Sequence, residues 1–117
     1  MHELNKLRIW KKAIELSKIV YALTKKFPDD EKFGLRNQIR RAVVSIPSNI
    51  AEGAGRESSK EFKHFLSIAN GSSCELFTQL IISLELKYIN ETDFKKLEME
   101  INELQKMNYN LQLKLRQ

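Results

Sequence analysis

Apolar residues recur at spacings of three and four along most of the chain, the period of a helix, and nothing suggests the alternation of a strand. Ile9, Ala13, Leu16, Val20, Leu23 and Phe27 predict a first helix over about residues 6–26, with Trp10, Ile14 and Tyr21 as a second apolar column beside the first. Phe27-Pro28-Asp29-Asp30 stops that helix and offers an N-cap for a second one over about 31–54. Ser58, followed three residues later by Glu61, is a capping box that opens a third helix running to about Lys87. Asn90 caps a fourth, in which Phe94, Leu97, Ile101, Leu104, Leu111 and Leu115 keep a heptad rhythm. Asn108 occupies the missing core position of that series, either buried to fix register or exposed in the last turns. Four helices joined by short turns predict an all-α, antiparallel up-down-up-down four-helix bundle, one domain over residues 1–117.

The second helix departs from a plain amphipathic pattern. Leu35, Ile39, Ala42, Val43, Ile46, Ile50 and Ala54 form its apolar face, while Gln38, Arg41, Ser45, Asn49 and Glu52 form a polar column beside it. Pro47 lies inside the helix, where it removes a backbone hydrogen bond and clashes with the preceding turn, so a kink or a break is expected there. The polar column reads either as a hydrogen-bond network serving the backbone around Pro47 or as a contact site for a ligand or nucleic acid. In the third helix, Ala69-Asn70-Gly71-Ser72-Ser73-Cys74 is a run of mostly small side chains, expected to let that helix approach the second around Ala42, Ser45 and Ser48.

Several phrases of the chain are familiar together: Ile9-Trp10-Lys11-Lys12-Ala13, Phe27-Pro28, Phe33-Gly34-Leu35-Arg36-Asn37-Gln38-Ile39-Arg40-Arg41-Ala42, Ser45-Ile46-Pro47-Ser48-Asn49-Ile50-Ala51-Glu52-Gly53, and Glu61-Phe62 through Phe65-Leu66-Ser67-Ile68-Ala69. With them the stretch from Trp10 to Leu86 resembles a bacterial family of four-helix bundles, the ribosomal-RNA (23S rRNA) intervening-sequence proteins. Some members of that family are encoded inside insertions in large-subunit ribosomal RNA genes. The resemblance implies the fold but no biochemical activity. Similar proteins, among them the accessory variability determinant proteins of diversity-generating retroelements, form ring-shaped homopentamers and hold a reverse transcriptase, so a homo-oligomer and a protein partner are implied. The pattern agrees, because Ile81, Ile82, Leu84, Leu86 and Tyr88 surround nearly the whole third helix and exceed what one bundle can bury.

Charge adds a second theme. The 20 Lys and Arg exceed the 15 Asp and Glu, for a net +5 and a sequence pI near 9.4. Residues 1–27 carry seven basic against two acidic side chains, and the remainder balances. Arg8, Lys11, Lys18 and Lys25 share a face of the first helix, with Lys12 and Lys26 flanking it, and Lys32, Arg36 and Arg40 follow at fourth positions on the second. All of these but Lys26, eight residues, are the candidate nucleic-acid contacts, the alternative being a solvated lysine face. The aromatic residues sit mostly at core spacings, so any binding is expected to act through backbone charge and not through base stacking. No run approaches the roughly 18 apolar residues of a membrane span, and the N-terminus lacks the apolar core of a secretory signal, so the cytoplasm is the expected location.

Catalytic chemistry finds little support. Glu61-Phe62-Lys63-His64 has the Glu-x-x-His spacing of di-iron bundles, but a second such motif is lacking, and His2 and His64 are the only histidines. Ser45, Ser48 and Cys74 have no histidine with an orienting group, and Cys74 is expected to be a small buried thiol. Glu52, Glu61 and Glu75 could converge as acid/base groups, although Arg40, Arg41 and Arg56 are at hand to pair with them. The expectation is a non-enzymatic, self-associating protein without metal or cofactor, binding nucleic acid or serving as a protein–protein adaptor.

Overall fold

The computed structural model describes residues 3–115. It contains four helices, α1 (Arg8–Thr24), α2 (Leu35–Ala54), α3 (Ser59–Glu85) and α4 (Glu91–Lys114), with 3₁₀ turns at Leu4–Lys6 and Asp29–Glu31 and no strand among the described residues. Cross-contacts run in opposite senses along each neighbouring pair. Arg40 meets Thr24 and Val43 meets Ser17; Ser45 meets Ser72 and Gly53 meets Phe62. Ser73 meets Gln105 and Leu66 meets Asn108; Lys12 meets Glu100, while Arg8 and Ile9 share a cleft with Asn110, Leu111 and Lys114. The helices therefore pack as an antiparallel bundle of 45 × 24 × 20 Å around a core that includes Leu16, Val20, Ile39, Ile46, Leu66, Leu80, Leu97 and Ile101.

The helix ends follow local chemistry, with two corrections. α2 starts at Leu35, not Glu31, because residues 29–31 wind into a 3₁₀ turn whose N-terminal flank is Pro28. The cap assigned to Asp29-Asp30 is supplied by Glu31, whose Oε1 accepts the Leu35 N–H at 2.9 Å while its Oε2 accepts the Tyr88 O–H at 2.8 Å. α3 opens as the capping box predicts, with Ser58 Oγ accepting the Glu61 N–H at 3.1 Å. It ends at Glu85, two residues before Lys87, in a Schellman turn. Tyr88 N–H reaches Ser83 O at 2.8 Å, Lys87 N–H reaches Leu84 O at 2.9 Å, and Lys87 takes φ 64°. Asn90 caps α4 by accepting the Asp93 N–H at 2.7 Å.

Pro47 does not break the helix. α2 is continuous from Leu35 to Ala54, and Pro47 is buried within it. α2 and α3 approach closely at Gly53, where a Cβ would lie 2.7 Å from Phe65 Cβ and 3.2 Å from the Phe62 carbonyl oxygen. Only a residue without a side chain fits there. The small-residue run contributes less than expected: Ala69 and Ser73 are buried and Ser72 bonds Ser45, but Gly71 faces open space and Cys74 is exposed, not buried. Helical rotation explains this, since residues 71 and 74 lie on the outer side when 69, 72, 73 and 76 face inward.

Asn108 is 4% exposed, which settles its two readings in favour of burial. Its Nδ2 donates to the Leu66 carbonyl at 2.8 Å and its Oδ1 accepts from Gln112 Nε2 at 2.6 Å, so both polar ends are satisfied and α4 is held in one register against α3.

The Glu31 cap gives a pH dependence of known sign. The Leu35 N–H first, and the Tyr88 hydroxyl second, hold the Glu31 carboxyl below its ordinary 4.5, against a smaller opposing effect of burial. A carboxyl depressed in the folded state contributes stability above its unfolded pKa and loses it as pH falls through the folded one. Glu31→Gln should therefore flatten the acid limb of the stability curve, its melting midpoint falling less than the parent's between about pH 5 and pH 3. Parallel acid limbs in circular-dichroism melts would refute the assignment.

Candidate nucleic-acid interface and polar seam

The eight basic residues singled out from sequence lie on α1, on α2 and on the turn between them, but they are not equivalent. Lys12 is drawn inward and bridges to α4, with Nζ 2.9 Å from Glu100 Oε1 and 3.4 Å from Glu103 Oε2. Burial alone would lower its pKa, but the hydrogen bond and charge of Glu100, joined by Glu103, outweigh that and hold the ammonium above its ordinary value. Its charge is neutralised within the bundle. Lys18 meets Glu15 at 3.3 Å on an exposed surface, an arrangement worth little in water.

Arg8, Lys11, Lys25, Lys32, Arg36 and Arg40 have no carboxylate partner among the described residues. Arg40 is positioned by neutral groups: its Nε donates to Thr24 Oγ1 at 2.9 Å and its Nη2 to the Tyr21 carbonyl at 3.1 Å. These bonds lay the guanidinium over the Tyr21 ring, 4.5 Å from its centroid. Lys32 lies 5.5 Å from the centroid of Phe33, a ring 86% exposed. The expectation that aromatic residues serve the core fails at these two positions, Tyr21 being 41% exposed. For Phe33 the signal available in the sequence was adjacency, since it follows Lys32 directly; the Tyr21–Arg40 pair joins residues 19 apart and left no local signal.

The polar column of α2 divides in three. Ser45 and Asn49 form its centre: Asn49 Nδ2 donates to the Ser45 carbonyl at 2.8 Å and to Ser45 Oγ at 3.0 Å, and Ser45 Oγ lies 2.8 Å from Ser72 Oγ on α3. Gln38 and Arg41 are exposed and, with Ser45, Glu75 and Gln79, line a shallow cleft of about 300 Å³ between α2 and α3. Gln79 Oε1 is buried without a hydrogen-bond donor among the described residues. Glu52 does not join Ser45 and Asn49. It pairs with Arg56 at 2.8 Å, and Arg56 reaches Glu61 at 3.6 Å while lying 4.9 Å over the Phe65 ring. Of the three glutamates considered for acid/base work, two thus meet around one exposed arginine and Glu75 sits apart in the cleft.

The group that serves Pro47 is one the sequence did not reveal. A proline at position 47 leaves the Val43 carbonyl without its helical donor, and Ser17 Oγ of α1 approaches that oxygen at 3.4 Å while lying 2.9 Å from its own Ala13 carbonyl. One hydroxyl proton thus serves the carbonyls of two helices. The contact crosses 26 residues of sequence, so only the folded arrangement shows it.

His64 is exposed and packs edge-on against Phe65 at 5.4 Å, and Glu61 is occupied by Ser58 and Arg56; His2 lies outside the described residues. Among the described residues no group of three His, Cys, Asp or Glu side chains could hold a metal ion, and no helix is long and apolar enough to cross a membrane.

Fold and surface together define an all-α bundle protein with a basic edge on its first two helices and a polar seam beside a proline-containing helix. The chain belongs to the 23S rRNA-intervening sequence protein family, whose model matches residues 5–110. No curated protein matches it. Among solved structures it is similar to the crystal structure of a protein of unknown function from the S23 ribosomal protein family of Bacteroides thetaiotaomicron VPI-5482, with a TM-score of 0.81 and 24% identity over 88% of this chain and 93% of that one. That likeness extends to the fold.

If Ser17 serves the carbonyl that Pro47 frees, the two residues are energetically coupled. Ser17→Ala should cost about 1 kcal/mol in the parent and distinctly less in a Pro47→Ala background, where a backbone N–H can take over. Denaturant unfolding of the four proteins of the cycle measures this, and purely additive effects would show the contact to be incidental.

Proposed function

We propose that this protein is a non-enzymatic, single-domain nucleic-acid-binding accessory protein of the cytoplasm that works as a homo-oligomer. The observation that carries the reading is the set of six cationic side chains on α1, the α1–α2 turn and α2 that lack a carboxylate partner among the described residues. Lys12, by contrast, is paired between helices with Glu100. Unpaired and solvent-facing cations on adjacent helices neutralise phosphates and release counter-ions. The family's description, linking it to insertions in 23S ribosomal RNA, is consistent with a nucleic-acid partner. Repetition of the basic edge around an oligomer would multiply its field.

Charge reversal tests the reading. Lys11→Glu/Lys25→Glu should leave the thermal melt nearly unchanged, since both residues are exposed, and should weaken binding of structured RNA or duplex DNA by about tenfold or more near physiological ionic strength. The slope of log affinity against log salt should become shallower by about two. Anisotropy titrations at several salt concentrations measure both, and undiminished affinity would sink the assignment.

A second reading, a protein–protein adaptor, is favoured by another surface. Ile68, Ile82 and Leu86 are 39%, 44% and 50% exposed on the outer side of α3. These side chains are costly to leave in water and suit a contact with another chain or another copy. Ile82→Glu/Leu86→Glu should lower the mass found by light scattering; a parent protein that is already monomeric would refute self-association.

A further inference from the structure

We propose that Phe33 and Tyr21 are stacking platforms for unpaired bases, so that the nucleic acid bound at the basic edge is single-stranded or contains an unpaired segment. The inference rests on the nucleic-acid reading above and narrows it to a class of ligand.

Three observations support it. Phe33 is 86% exposed, the largest value among the exposed large apolar residues, although a phenylalanine gains most by burial. Both rings already carry a cation: Lys32 lies 5.5 Å from the Phe33 centroid and the Arg40 guanidinium 4.5 Å from that of Tyr21. A base placed against either ring would meet an aromatic face and a positive charge together, the combination with which proteins hold single strands. Arg40 is also held in place, by Thr24 Oγ1 and the Tyr21 carbonyl, so the Tyr21–Arg40 pair is formed before any ligand arrives.

The surrounding charges give the strand a direction. Asp29 and Asp30 are exposed on the α1–α2 connection and repel phosphates, whereas Glu31 is engaged with Leu35 and Tyr88. The backbone is therefore steered away from the tip of the turn and toward Lys25, Lys32, Arg36 and Arg40. A duplex keeps its base faces stacked and can offer these rings nothing, while an unpaired segment can place its phosphates on the cations and its bases on the rings.

The test uses the full chain and fluorescein-labelled RNA of one length, either single-stranded or fully duplex, titrated by anisotropy near physiological ionic strength. Phe33→Leu and Tyr21→Leu retain apolar bulk and remove the aromatic face; melting curves check that each variant is folded. Each should weaken single-strand binding by roughly tenfold while changing duplex binding less than about twofold, with an unchanged salt slope. Unchanged single-strand affinity in both variants, with Lys11→Glu/Lys25→Glu still weakening it, would overturn the stacking proposal and leave the charge reading standing. Equal losses on both ligands would also overturn it. No binding of either RNA by the parent protein would overturn both.

Discussion

The seam between α2 and α3 sets the geometry on which the other contacts depend. Gly53 lets the two backbones come so close that a single added carbon would meet Phe65 Cβ at 2.7 Å, and Ser45 and Ser72 exchange a hydrogen bond of 2.8 Å nearby. Side chains this small contribute little apolar area, so the seam's value is positional. With these helices pressed together, Phe62, Leu66, Leu76 and Leu80 of α3 meet Ile39, Ile46 and Ile50 of α2 in one core. α1 and α4 then close over that pair. The same tightness explains why a proline is tolerated in α2. Pro47 is surrounded by protein, its helix is braced on both sides, and the carbonyl it leaves free is approached by a hydroxyl from α1.

Charge is sorted by role across the molecule. Where a cation lies between helices, as Lys12 does, two glutamates of α4 are waiting for it. Where carboxylates lie on the surface near a helix junction, as Glu52 and Glu61 do, one arginine gathers them. Six of the cations without a carboxylate partner, Arg8, Lys11, Lys25, Lys32, Arg36 and Arg40, lie on α1, the following turn and the first part of α2. Two exposed rings stand among them. One of them, Tyr21, lies under an arginine that two neutral acceptors of α1 hold in place.

Much of the fold was legible in the sequence because helical periodicity and caps are local. Ser58 with Glu61 and Asn90 with Asp93 cap as their spacing indicates. The four apolar stripes became the core. What escaped depends on contacts far apart in the chain. The start of α2 was misplaced because its cap, Glu31, sits inside a 3₁₀ turn stabilised in part by Tyr88. The polar column on α2 was correctly seen as unusual, but only Ser45 and Asn49 act together; Glu52 lies one turn further on, where Arg56 competes for it. Cys74 and Gly71 face outward because the inward face of α3 is set by Leu66, Ala69, Ser73, Leu76 and Leu80, a stripe on which neither residue lies. Lys12 looked like its neighbour Lys11, and only the arrival of α4 separates a bridging lysine from a solvent-facing one.

The left-handed residue at the end of α3 reaches further than a helix stop. Lys87 at φ 64° turns the chain so that Tyr88 lies 5.3 Å from Phe27 and donates its hydroxyl to Glu31, the residue that caps α2. The first turn of α2 is thus finished by a side chain 57 positions downstream. In folding terms that bond closes a long loop and contributes nothing until α3 and its turn are in place. The N-terminal end of helix two, next to Phe33 and the basic edge, is thus tied to the far end of α3, whereas its Gly53 end is fixed by direct packing against α3.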